Sequence, residues 1–159
     1  MKRLVFLMLI LFSACTYSFK GFIKENYSKV YISVFLNKSE KAGIEGVVTE
    51  NFINYWDEDG RIEIAGENTA NMILIGTLKS YKVEPYEYKE DGSVLSYKVV
   101  IRAEFTLKDK SQSEPLWSGK TFSAWGKYQP YTETEDNGVE RAAIELARKV
   151  LEAYLTEAK

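Results

Sequence analysis

Val94-Leu95-Ser96-Tyr97-Lys98-Val99-Val100-Ile101-Arg102-Ala103-Glu104-Phe105-Thr106-Leu107-Lys108 is the stretch whose reading decides the fold. Leu95, Tyr97, Val99, Ile101, Ala103, Phe105 and Leu107 alternate with Ser96, Lys98, Val100, Arg102, Glu104, Thr106 and Lys108. Successive side chains of a strand point to opposite faces, so this period of two predicts one strand with an apolar face and a polar face. At about 15 residues it is long against a usual length of ~5–6.

The neighbouring segments extend the sheet. Glu90-Asp91-Gly92-Ser93 supplies a hairpin turn upstream, with Asp-Gly as its signal. Residues 72–83 read as a strand whose first half is apolar on both faces, as a central strand requires. Pro85 has no N–H to give a ladder and points to an edge or bend. Downstream, Asp109 to Pro115 is a turn and residues 116–128 a further strand. Asn137 with Glu140 reads as an N-cap box. Val139, Ala143, Leu146, Ala147, Val150, Leu151 and Tyr154 then mark the apolar face of a closing helix.

Towards the N-terminus, residues 30–36 read as a strand with Val30, Ile32, Val34 and Leu36 on one face. Ile44, Val47, Val48, Phe52, Tyr55 and Trp56 follow helical spacing, and Asp57-Glu58-Asp59-Gly60 ends that helix. Ile62 and Ile64 mark a short strand. The order β-α-β-β-β-β-α predicts an α+β fold, a two-layer sandwich of two helices on a largely antiparallel or mixed sheet of four to five strands. It is expected as a single domain over residues 30–159.

Composition removes most catalytic readings. The 159 residues include 21 Lys and Arg, 23 Asp and Glu, no His and one Cys. A formal charge of −2 speaks against a basic nucleic-acid-binding domain. Without His there is no Ser-His-Asp triad, Cys-His pair or His-ligated metal. Glu84, Glu87, Glu90 and Asp91 cluster near one turn, and Glu133, Glu135 and Asp136 near another. They read as solvated turns and an acidic helix N-terminus, which the helix dipole favours. A carboxylate enzyme stays open as a remote alternative, but the expectation is a non-enzyme without metal or cofactor.

Residues 1–14 combine Lys2 and Arg3, an apolar run from Leu4 to Phe12, and the small pair Ser13-Ala14. Nine apolar residues are too few to cross a bilayer, which takes ~20, and fit a signal peptide instead. Leu11-Phe12-Ser13-Ala14-Cys15 resembles the lipobox of bacterial lipoproteins, in which the Cys is acylated after cleavage. Residues 1–14 are therefore expected to be the signal peptide, Cys15 the lipidated membrane anchor, and residues 15–29 a tether. Thr16 stands where an inner-membrane retention signal would carry Asp, so the resemblance implies the outer membrane.

Two surface features remain. Lys79, Lys82, Lys98, Arg102, Lys108, Lys120 and Lys127 lie on predicted strands, either as an ordinary solvated face or as a site for an anionic partner. Tyr81, Tyr86, Tyr88, Tyr97, Trp125, Tyr128 and Tyr131 are too many aromatics for so small a core, and Tyr and Trp are enriched at protein interfaces.

The ordered set of marks resembles a known family. They are Cys15-Thr16-Tyr17-Ser18-Phe19, similar to a Cys-Gly-Tyr opening; Val30 to Asn37, an apolar strand ending near Phe and Asn; Gly60-Arg61 before a short strand; and Asn68 to Leu78, similar to an A-D-x-x-L-x-G-x-I segment. Tyr97 with Val99, Leu116-Trp117 and an Ala-rich helix with Ala142, Ala143 and Ala147 complete the order. This set resembles the LPS-assembly lipoproteins (LptE), outer-membrane partners of the LptD β-barrel. The resemblance implies a non-catalytic accessory that sits inside its barrel, supports barrel assembly and assists lipopolysaccharide delivery to the cell surface. It nominates Lys98, Arg102, Lys120 and Lys127 for lipopolysaccharide contact, and Tyr81, Tyr86, Tyr88, Trp125, Tyr128 and Tyr131 for the barrel interface. An envelope lipoprotein that activates a transporter or a cell-wall synthase would share the signal and the size, as would a module for a small hydrophobic ligand.

Overall fold

The long alternating stretch forms β5, Val94–Asp109, inside a six-stranded sheet. The structure, a computed structural model, describes residues 23–158. The other strands are β1 (Lys29–Ile32), β2 (Leu36–Asn37), β3 (Glu63–Ile64), β4 (Met72–Tyr88) and β6 (Trp117–Tyr128). Two helices, α1 (Ile44–Asp59) and α2 (Glu135–Glu157), cover one face. The sheet runs β3-β1-β4-β5-β6, with β2 pairing with β4 beyond β1. β1 pairs with β3 and β4 in parallel, as does β2 with β4, whereas β4-β5 and β5-β6 are antiparallel. The sheet is therefore mixed, and the expected α+β two-layer sandwich is found with six strands in place of four to five.

The extra strand comes from a phase slip. Ile32 pairs with Leu74 and Leu36 with Thr77, so four residues on one chain segment match three on β4. The additional residue splits the predicted 30–36 strand and inverts its alternation. Val34 is 72% exposed and Leu36 is exposed too, while Phe35 turns inward and is only 2% exposed. Its ring packs edge-on against Phe52 and Phe105, with centroids 4.9 and 5.5 Å away. The Phe35 N–H, freed from the ladder, donates to Thr49 Oγ1 at 3.0 Å.

The inward face of β5 holds Val99, Ile101, Ala103, Phe105 and Leu107, all buried as the alternation predicts. Ile44, Val48, Phe52 and Trp56 of α1 are buried against it, whereas Val47 is exposed. The whole predicted face of α2 is buried. Each such large side chain contributes roughly 1.5–3 kcal/mol by leaving water. Trp56 Nε1 donates to the Ala147 carbonyl at 3.0 Å and joins the two helices. The α2 cap is Thr134 instead of Asn137. Asn137 serves as the reciprocal partner, its Oδ1 accepting from the Thr134 N–H at 3.0 Å.

The two ends of the described chain meet. Lys24 N–H donates to the Ala158 carbonyl at 3.1 Å, and Tyr154 Oη donates to the Tyr27 carbonyl at 2.6 Å. At the other end of the sheet, β4 outruns its parallel neighbours and pairs with β5 alone from Ser80 to Tyr88. Pro85 lies in this edge segment, where its missing N–H costs no ladder bond. The predicted signal peptide and Cys15 lie outside the described residues.

Candidate functional site

Because both helices lie on one face, the other face of β4, β5 and β6 is open. Register decides what it displays. Lys98 pairs with Lys127, Val100 with Trp125 and Arg102 with Ser123, and these side chains point away from the helices. Lys98, Arg102 and Lys127 thus share a face. Lys120 does not, since it pairs with inward-facing Phe105. It sits at the helix-side rim, 4.5 Å from the Trp117 ring centroid and 3.8 Å from a Glu157 oxygen.

The three nominated cations on the open face, Lys98, Arg102 and Lys127, are not equivalent. Lys98 lies 3.2 Å from Glu84 across the strands, and Lys127 3.4 Å from Glu87. Glu87 also accepts from Ser96 Oγ at 2.7 Å; that bond, ahead of Lys127, holds its carboxyl below the usual range. Lys79 is matched by Glu104 at 2.9 Å. Exposed pairs of this kind contribute only ~0–1 kcal/mol, but they occupy the amines of Lys79, Lys98 and Lys127. Arg102 lies in register between Ser80 and Ser123 and has no carboxylate partner among the described residues. A guanidinium free of carboxylates keeps its fork for an oxyanion.

The nominated aromatics also separate. Tyr86 packs on Trp125 at 5.1 Å on the open face, where both are partly exposed. Tyr88 and Tyr131 are exposed nearby, with Lys89 Nζ 4.2 Å from the Tyr131 ring. Tyr81 and Tyr128 are instead buried on the helix side. Tyr128 stacks on Tyr97 at 5.7 Å. Tyr81 Oη donates to Glu135 Oε1 at 2.6 Å, and Lys41 Nζ reaches the same oxygen at 3.0 Å. Burial, then the Glu135 carboxylate, push the Tyr81 phenol upward, and the Tyr81 and Lys41 bonds lower Glu135. These three groups pin the segment before α1, β4 and the start of α2 together. They stand 54 and 94 residues apart in sequence, so no local pattern marks the cluster.

The acidic clusters resolve into turn and ion-pair work. Asp91 Oδ1 accepts from the Ser93 N–H at 2.9 Å in the hairpin turn. Glu133 binds Arg141 and takes the Gln129 N–H at 2.9 Å, tying down the segment before α2. Among the described residues no group of three or more Cys, Asp or Glu is placed to hold a metal ion. Nor is any described helix long and apolar enough to cross a membrane.

A family model described as "LptE: Lipopolysaccharide-assembly" matches residues 27–153. Among curated proteins, none matches the chain. Solved structures share the fold. The PelC dodecamer from Paraburkholderia phytofirmans is 18% identical with a TM-score of 0.53, covering 82% of this chain and 89% of that one. A lipoprotein from Caulobacter crescentus, called putative in its description, is 15% identical with a TM-score of 0.53, covering 83% and 91%. A minor lipoprotein from Acinetobacter baumannii is 14% identical with a TM-score of 0.52, covering 82% and 94%. At these identities the likeness concerns the fold alone.

Proposed function

The chain belongs to the lipopolysaccharide-assembly (LptE) family, and from that premise we propose that it is a lipid-anchored, non-catalytic outer-membrane lipoprotein that binds an LptD-type β-barrel and supports its assembly. The single observation that carries this reading is the family match across residues 27–153. The open sheet face supports it. Helices cover only one side of β4–β6, and the other presents cross-strand ion pairs with Tyr86 and Trp125 between them. The paired charges of this face can enter a confined protein interior without stranding an unpaired ion. Acylation at Cys15 would hold the domain at the membrane, each buried CH₂ contributing ~0.8 kcal/mol, and confine its search to two dimensions.

Lipopolysaccharide contact is the finer part of the proposal. Of the four nominated cations, Arg102 has the free geometry for a phosphate or carboxylate, whereas Lys98, Lys120 and Lys127 each face a carboxylate. The whole reading is tested by mild-detergent purification of the full-length lipidated protein from its native outer membrane. A near-stoichiometric large β-barrel is the expected partner. An inner-membrane transporter or a cell-wall synthase in its place would overturn it.

A further inference from the structure

A sheet edge carries a row of backbone N–H and C=O groups that another chain can pair with, and here each long edge is obstructed. β3 closes one side with only 2 residues. β4 loses its parallel neighbours after Leu78, so Tyr81, Val83 and Pro85 lie on an open edge. Alternate residues of an antiparallel strand turn their backbone groups to the same side, and these three stand in continuous register with Ile101, Val99 and Tyr97. The Glu40 carboxylate accepts from the Tyr81 N–H at 3.0 Å, and Pro85 has no N–H to offer. Of the three, only Val83 keeps an open donor. The opposite edge is β6, 12 residues long. Two cations of α2 reach round to it. Lys149 Nζ donates to the Ser123 carbonyl at 2.9 Å, and Arg141 Nη1 to the Lys127 carbonyl at 2.6 Å. Arg141 is itself held by Glu133. Ser123, Trp125 and Lys127 turn their backbone groups to this outer side, so the carbonyls flanking Trp125 are both taken.

We propose that Arg141 and Lys149 guard the β6 edge against pairing with a second copy of this chain, as Glu40 and Pro85 guard β4. Exposed side-chain contacts of this kind add little to the stability of a fold. Their consequence lies at the edge. Two β6 strands paired about a two-fold axis at Trp125 would set Ser123 of one copy opposite Lys127 of the other. The carbonyls that must accept from the added strand are the ones already bonded to Lys149 and Arg141. A second copy can pair only by displacing both cations on each chain and bringing like charges together. The proposal concerns the edges and is independent of the barrel reading, which concerns the open face. With the edges closed, a partner is met through the side chains of that face and not by strand addition.

The test is sedimentation equilibrium of the full-length protein in density-matched detergent, with circular dichroism to verify the fold. The double variant Arg141→Ala/Lys149→Ala should self-associate at least about tenfold more tightly than the wild type. Exchanging the two cations, Arg141→Lys with Lys149→Arg, should keep the wild-type behaviour. In the double-alanine background, Trp125→Pro removes the outward N–H between the two carbonyls and should abolish association, whereas Trp125→Thr loses the indole, keeps the N–H and should not. A folded double-alanine variant that associates no more tightly than the wild type overturns the proposal. So does association that survives Trp125→Pro or vanishes with Trp125→Thr, which would assign it to the aromatic face. If loss of Arg141 unfolds the protein, Lys149→Ala alone decides, since that ammonium otherwise meets only Glu145 at 3.9 Å. It should still associate more tightly than the wild type, and an unchanged constant overturns the guard.

Discussion

Gly126 on β6 and Gly138 in the first turns of α2 lie in backbone contact. A Cβ built on Gly126 would fall 2.5 Å from the Ala142 nitrogen and closer still to the Gly138 carbonyl oxygen. The helix can therefore settle directly on the strand, and Ala142, Ala143 and Ala147 continue this close seat with small side chains.

Gly126→Ala forces the helix backbone itself to move, so it should destabilise the fold by about 1–3 kcal/mol. Gly138→Ala meets the Val99 Cγ2 and Tyr128 Cδ1 side-chain atoms, at 2.8 and 2.9 Å, which can shift. It also gains up to ~1 kcal/mol of helix propensity. Urea unfolding followed by circular dichroism should show the larger loss for Gly126→Ala. Equal losses would mean that backbone contact does not govern this seat.

A second close approach predicts coupling. A Cβ on Gly76 would lie 2.5 Å from Phe35 Cδ1, because the ring fills the space a side chain would take. Gly76→Ala alone should cost about 1–3 kcal/mol, and Phe35→Ala about 3–5 kcal/mol. In the Phe35→Ala background the Gly76 change should become nearly neutral. A double-mutant cycle measures this, and strict additivity would contradict the packing described.

The Glu133 carboxyl has a pH signature. The Arg141 guanidinium first, then the Gln129 N–H, hold it down to about 2. A depressed carboxylate contributes its stabilisation above the ordinary carboxylate range and loses it as pH falls towards 2. Carbon-detected NMR should place the Glu133 midpoint near that value. In Arg141→Ala the midpoint should rise towards the usual value, and an unchanged midpoint would exclude the ion pair as the main cause.

The free guanidinium sets Arg102 apart from its neighbours in the proposed lipopolysaccharide contact. Arg102→Ala should weaken binding of fluorescent lipopolysaccharide to the purified protein about tenfold, the worth of one charge-assisted contact. Lys98→Ala and Lys127→Ala should change it less than about threefold, since those amines face Glu84 and Glu87. Equal effects from all three would point to a diffuse positive field in place of a defined contact.

Much of this architecture was legible in local pattern. Alternation from Leu95 to Leu107 identified β5 and its inward face, helical spacing identified the α2 face from Val139 to Tyr154, and Pro85 marked the edge of β4. These features depend on periodicity and backbone chemistry, which neighbours in sequence carry. The inward turn of Phe35 escaped that reading because it follows from one extra residue in the pairing with β4, and from the space beside Gly76. The same holds for the surface. Sequence named the basic and aromatic residues, but strand register put Lys120 on the helix side, paired Lys98 and Lys127 with acids, and left Arg102 free. Tyr81 and Tyr128 look no different from Tyr86 and Tyr88 in a list of residues. Helix packing buried the first two against Glu135 and Tyr97 and left the others outside, because burial belongs to the assembled layers and not to the chain.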